Sequence, residues 1–366
     1  MRANLGFVLM VLACIAVEPV LAQTDYKAIE IPTLGGETAT SSISDSGLVT
    51  GYSKNESNKE HPFIFDYDDE TGEGTMIDLG LLPESNWGKA FGVNNLKYAV
   101  GFCRKESTNT DHAFLYKDGA MIDLSAVGSR AVGINNTGAT IVQYSGGSAR
   151  YDDGVVTELG PWKANAINST GQIVGIGYYD DQHNLAGNGS ISRAVLYENG
   201  NVIDLGVLPS EEYVFVGSEA FGLNDKGQVV GVSWTLPNGV NPAIKHAFLW
   251  EESTGMTDLG TLGGNESWAT SINENGDIVG TSFTVGSDLD SQVGFLWQDG
   301  IGMQDLSTLA GINVGSAEGI ADNGYIADAG SGAFLLVPIG VPEPSTLALL
   351  VTASISFAAY LWRQKK

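Results

Sequence analysis

The stretch Ile272 to Ser282, INENGDIVGTS, has an Asn-x-x-Gly core between two apolar, β-branched flanks. Asn and Gly tolerate the positive φ of a tight turn, and Val and Ile favour strands, so the stretch reads as a β-hairpin. It recurs as ISDSGLVTGYS from Ile43, VNNLKYAVGFC from Val93, INNTGATIVQYS from Ile134, INSTGQIVGIG from Ile167, LNDKGQVVGVS from Leu223 and IADNGYIADAG from Ile320. Seven copies spaced 33 to 56 residues apart make an internal repeat, which governs every later reading of the chain.

Two further lines recur with it. HPFIF (His61), HAFLY (His112), ARYDD (Ala149), RAVLY (Arg193), HAFLW (His246), GFLW (Gly294) and GAFLL (Gly332) form the first. MIDLG (Met76), MIDLS (Met121), VTELG (Val156), VIDLG (Val202), MTDLG (Met256) and MQDLS (Met303) form the second, and IEIPTLGG from Ile29 supplies its seventh copy at the N-terminal end. Each unit therefore reads as four short strands. Around residue 270 they are expected at Ala269–Asn273, Asp277–Ser282, His246–Trp250 and Met256–Leu259. Four antiparallel strands per 40 to 50 residues are the signature of a β-propeller blade. The expected fold is all-β: a propeller of seven four-stranded blades over residues 26–338. Its third C-terminal strand, Gly332–Pro338, is expected to pair with an N-terminal strand, Tyr26–Ile31, closing the ring and removing sheet edges.

The 366 residues include 48 Gly, about twice ordinary usage, in keeping with many turns. Between Gln23 and Pro342 there are 14 basic and 41 acidic residues, a net of −27. Such a surface repels phosphate backbones and anionic lipid, which argues against nucleic-acid binding and against membrane contact by the body. Of the two cysteines, Cys14 lies in the N-terminal apolar run. Cys103 remains as a lone thiol, read as a small buried residue with no disulfide available.

The ends carry addresses. Arg2, the apolar run Leu5–Val17 and Val-Leu-Ala before Gln23 have the order of a secretory signal peptide (residues 1–22), with cleavage expected between Ala22 and Gln23 and export through the Sec translocase. Residues 346–362 hold no charge and are long enough for one transmembrane helix, followed by the basic tail 363–366. Val341, Pro342, Glu343 and Pro344 precede that helix, with Ser345 completing the motif. Residues 341–366 together resemble a PEP-CTERM sorting signal. The resemblance implies an exosortase as partner, transient membrane anchoring, and delivery to the cell surface or extracellular matrix. Likewise His-Ala-Phe at His112 and His246, each followed by an Asp-Leu line, resembles the extracellular HAF-repeat family over residues 26–338, a family that brings an exported protein and no established activity.

No nucleophile elbow, zinc-spaced His/Glu pattern, P-loop or dinucleotide fingerprint is present, so no catalytic residue and no metal ligand is nominated. His61, His112 and His246 recur with Asp78, Asp123 and Asp258, and a residue pair repeated unit after unit is expected to serve the fold. His183 stands alone in a loop. DYDDETGE from Asp66 and GSDLDS from Gly286 place carboxylates in loops, as Ca²⁺ would need and as solvated loops also show. Alternating strands put the two short hairpin turns of each unit on one face and the longer connections on the other, where ligand sites gather. Trp87, Trp162 and Trp268 fall in those connections, open to two readings: platforms for sugar rings, or packing between units. The expected role is a non-catalytic binding or structural module, with exopolysaccharide or a surface protein as ligand. A carbohydrate hydrolase or lyase on the same scaffold is the alternative.

Overall fold

A computed structural model describes residues 25–339 except 181, 183, 186–188, 210, 212–214, 236–243, 286–291 and 330–331. Those residues form one compact unit. After β1 (Asp25–Glu30) the chain builds six complete four-stranded units. Unit 1 is β2–β5 (Gly35–Ile43, Val49–Asn55, Glu60–Asp68, Glu73–Asp78), and unit 2 is β6–β9 (Ser85–Val93, Ala99–Lys105, Asp111–Lys117, Ala120–Asp123). Unit 3 is β10–β13 (Arg130–Ile134, Thr140–Tyr144, Gly147–Asp152, Val155–Gly160), and unit 4 is β14–β17 (Lys163–Ile167, Ile173–Tyr179, Ile191–Glu198, Asn201–Asp204). Unit 5 is β18–β21 (Phe215–Leu223, Val229–Thr235, Lys245–Glu251, Gly255–Asp258), and unit 6 is β22–β25 (Gly263–Ile272, Ile278–Thr284, Gln292–Gln298, Gly302–Asp305). A short helix, α1 (Leu306–Ala310), leads to β26 (Ala317–Ile320), β27 (Ile326–Asp328) and β28 (Phe334–Ile339).

All strand pairs within units are antiparallel. Unit 7 takes three strands from the C-terminal side and its fourth from the N-terminal side: β1 pairs with β28 from Asp25↔Ile339 to Glu30↔Phe334. The expected pairing of the two ends is therefore present, shifted by one or two residues. The strands expected around residue 270 are a correction. His246–Trp250 and Met256–Leu259 belong to the sheet of β18 and β19, whereas β22 and β23 pair onward with β24 and β25. A single parallel bridge, Lys245↔Glu266, joins units 5 and 6.

Burial explains why the units stand together. Each sheet is apolar on both faces, and seven core clusters each draw on two consecutive units. One cluster joins Val49, Phe63 and Phe65 of unit 1 to Tyr325, Ala327 and Leu335 of unit 7. Another joins Val174 and Leu196 of unit 4 to Val229 and Phe248 of unit 5. First strands touch in the order β2, β6, β10, β14, β18, β22, β26, and β26 touches β2 in turn.

All seven first strands carry a β-bulge at one place. Pairing skips Ser41, Phe91, Val132, Asn165, Phe221, Thr270 and Glu318 in the successive units. A bulge re-aims the extra side chain. Beside it the second strand comes very close: a Cβ built on Gly280 would lie 2.1 Å from the Trp268 carbonyl oxygen. That approach accounts for the Gly in the recurrent Ile-Val-Gly. Gly280→Ala is expected to cost about 3 kcal/mol in chemical denaturation.

The turn glycine has a different reason. Gly276 has φ +88°, and the same position holds positive-φ Gly in five other units. In unit 2 it is Lys97, at φ +61°. A side chain there is strained, so Lys97→Gly is expected to stabilise the protein by about 1 kcal/mol, read as a higher denaturation midpoint.

Candidate functional site

The recurrent Asn of the turn has two jobs. Oδ1 of Asn273 accepts the backbone N–H groups of Asn275 (3.0 Å) and Asp277 (2.9 Å), closing its own turn. Nδ2 donates to the carbonyl of the matching residue in the next unit. The relay runs Asn94 to Asn135 (2.9 Å), Asn135 to Asn168 (2.9 Å), Asn168 to Asn224 (2.9 Å), Asn224 to Asn273 (3.1 Å) and Asn273 to Ala321 (3.1 Å). The amide carries its acceptor and its donor on separate atoms, so the two bonds can point in different directions. In unit 1 the place is Ser44, whose Oγ accepts the Leu48 N–H (3.1 Å). At the junction of units 7 and 1 the Asp322 N–H donates to the Asp45 carbonyl (3.1 Å) and Thr40 Oγ1 to that of Asp328 (2.8 Å).

The His and Asp pairs also serve the fold. Nδ1 of His61 meets Asp78 at 3.0 Å, of His246 meets Asp258 at 2.7 Å, and of His112 meets Asp123 at 3.5 Å. Oδ1 of each Asp then accepts the N–H two residues on, from Gly80, Gly260 and Ser125. Arg193 replaces the His in unit 4 and donates to Val216 O (2.6 Å). In unit 6 the His place is Val293, opposite Ser282, and the Ala place beside it is Gly294, where a Cβ would lie 2.8 Å from Val314. Val314 is brought in by α1, a helix absent from the sequence reading, with Asp305 as N-cap and Gly311 as C-cap.

A cavity of about 380 Å³ is lined by all seven first strands and receives the seven bulged side chains. At the hairpin end its rim holds Asp45, Asp225, Glu274 and Asp322. The Asp45 side chain is exposed to the mouth, yet surrounding protein strips part of its water, and the other three carboxylates add to this. Its pKa is pushed up despite a hydrogen bond from Asn136 (2.6 Å). Towards the other end the same strands carry Lys89, Arg130 and Lys163 in units 2 to 4 and Glu219 in unit 5, whereas the rim carboxylates come from units 1, 5, 6 and 7. Burial lowers the Lys163 pKa, and its Nζ donates to the carbonyls of Tyr144 and Gly147. Burial raises the Glu219 pKa, opposed by Asn165 Nδ2 at 3.0 Å.

The three tryptophans do not form a common platform. Trp162 is fully buried, 0% exposed, in the core between units 3 and 4, and its Nε1 donates to Leu159 O (2.7 Å). This corrects the stacking reading for Trp162; its indole is a core element. Trp87 and Trp268 lie within β6 and β22, not in connections, and both are half-buried. Trp87 packs edge-on to Phe102 (5.1 Å) with Arg104 at 5.6 Å, while Trp268 packs against Phe283 (6.1 Å). Cys103 is buried as expected, and burial pushes its thiol up to about 11.

Ala22, Gln23, residues 341–366 and His183 lie outside the described residues. Among those described, no helix is long and apolar enough to cross a membrane, and no group of three His, Cys, Asp or Glu side chains is placed to hold a metal ion. In the Asp66 loop, Asp66 pairs with Lys97 (2.8 Å), Asp68 Oδ1 accepts the Glu70 N–H (2.8 Å), and Asp69 accepts the Tyr325 hydroxyl.

No family model and no curated protein matches the chain. Among solved structures it is similar to the β-propeller domain of the trilobed protease of Pyrococcus furiosus. That likeness has 11% identity and a TM-score of 0.50, over 82% of this chain and 94% of that one. An extracellular domain of a one-component system from B. thetaiotaomicron matches 87% of this chain at 12% identity and a TM-score of 0.49. The chain spans 40% of that protein's length. The propeller likeness shows the fold: this is an all-β molecule of four-stranded antiparallel sheets, of β-propeller type.

A raised carboxyl pKa contributes stability that is fully present below the unfolded value and lost as pH rises through the folded one. Glu219→Gln should therefore raise the melting temperature at neutral pH, and the gain should vanish near about pH 3. Thermal denaturation across pH reads both.

Proposed function

We propose that this chain is an exported HAF-repeat protein, a seven-bladed propeller closed by β1, that acts as a non-catalytic binding module for extracellular polysaccharide. One observation carries the reading: the polar side chains that repeat from unit to unit bond to the scaffold itself, the Asn between units and the His within them. The Asn amides bond within their turns and to the next unit, and the His imidazoles bond to Asp in each of the three units that have them. Repeated chemistry thus serves the scaffold. What differs between units gathers on the bulged positions and on the face of the longer connections, the usual place for ligand contacts. The pairing of β1 with β28 and the contact of β26 with β2 support closure.

The sorting tail supplies the address. Residues 1–22 would be removed on export through the Sec translocase. An exosortase would then act at Val341–Pro344 while residues 346–362 hold the chain in the membrane, and the body would be left at the surface or in the matrix. A ligand there is a polysaccharide or another surface protein, and the body's net charge of −27 disfavours a polyanion.

The test is incubation of the exported protein with exopolysaccharide of the producing bacterium, with and without EDTA, following retention and chain length. Retention with unchanged chain length is expected. Shortened chains would replace this reading with a hydrolase or lyase. Loss of retention in EDTA would make Ca²⁺ part of the site.

A further inference from the structure

On the face of the longer connections, unit 3 stands apart. β11 passes to β12 through Ser145 and Gly146 alone, and β13 to β14 through Pro161 and Trp162 alone. With no long segment above it, a notch of about 630 Å³ opens at the junction of units 2 and 3. That volume lies within the range of small-ligand sites. Its wall is built from Asp111 and His112 of unit 2, Ser125 and Ser129 of the connection, and Tyr144 and Glu158 of unit 3.

Several of these wall groups are held from behind. His112 uses Nδ1 on Asp123, which leaves Nε2 as the acceptor of the neutral ring. In His61 the equivalent nitrogen is already engaged by Asn55 Nδ2 at 3.2 Å. Tyr144 donates its hydroxyl to Glu158 Oε2, so the exposed carboxylate is fixed and Oε1 remains as an acceptor. Asp111 is clamped by Arg104 (2.7 Å) and Arg130 (2.9 Å), and the Arg130 guanidinium lies over the Phe102 ring at 4.9 Å. Lys163 grips the turn of β11 and β12 through the Tyr144 and Gly147 carbonyls. A wall fixed in this way loses little entropy when a ligand arrives.

The exposed chemistry is that of hydroxyl recognition. Acceptors at Nε2 and the carboxylate, serine hydroxyls that donate and accept, and one aromatic ring match a polyol with an apolar face. Glu158 and the acidic body oppose a carboxylated or phosphorylated ligand. We propose that this notch is a binding subsite for a neutral sugar residue of a glycan chain, with His112 Nε2 and Glu158 receiving its hydroxyls. The assignment rests on the polysaccharide-binding reading above.

Saturation-transfer NMR on the full-length chain in detergent tests it, with cellotriose, maltotriose and mannotriose as neutral probes and trigalacturonate as the acidic one. A neutral trisaccharide is expected to bind. Glu158→Gln, an exposed change, and Ser145→Trp, which fills the notch, should each weaken it about tenfold. Melting temperature, measured in parallel, should stay at the wild-type value. Preference for trigalacturonate, or variants that bind a neutral probe as the wild type does, would overturn the notch while wild-type retention on exopolysaccharide upheld the broader reading. A wild type that binds neither the trisaccharides nor exopolysaccharide would sink both.

Discussion

A four-stranded sheet with two apolar faces has only one way to bury both: it must sit between two others. That constraint organises the molecule. Seven core clusters each belong to a pair of consecutive units, and none of the larger ones belongs to a single unit. An isolated unit would leave a face of Val, Ile and Phe in water at about 25 cal/mol for each Å² exposed. Stability is thus a sum of shared interfaces, and the N-terminal strand matters because it lets the last unit offer a complete face to the first.

Hydrogen bonds refine what burial dictates. The Asn relay at the hairpin end and the bulge fix how far one unit rotates against the next, while the His and Asp ties at the opposite end hold the third strand of a unit to its own fourth. The bulge then admits variety. Ala or Thr precedes it and Gly mostly lies opposite, so the scaffold is uniform on either side of a residue that is Phe in two units, Asn in another and Glu in the last. The cavity they line is accordingly irregular on a regular frame.

Much of this was legible in the residues. Asn-x-x-Gly marks a turn because it needs positive φ and an amide, and the Ile-Val that follows marks the second strand. The half-units at the two ends point to their own pairing. Other features were hidden for definite reasons. The early halves of first strands, such as Gly263–Trp268, lack apolar alternation because they lie largely outside a core: in that stretch Ser267 is buried and the rest is partly or fully exposed. Trp162 reads as a loop residue because Pro161 precedes it, but its two-residue connection is too short to keep the indole out of the core. The notch has no sequence signature, since His112 and Glu158 are 46 residues apart and meet only through the packing of units 2 and 3.

The position of β28 has a mechanical meaning. Its last residue, Ile339, stands just before the segment through which the chain would be tethered, and β28 runs antiparallel between β27 on one side and β1 on the other. A pull along β28 loads both ladders together in shear, so its hydrogen bonds must fail collectively instead of opening one by one. A tether placed there, beside an inner strand, would let the fold carry tension from the surface without unravelling from its own end.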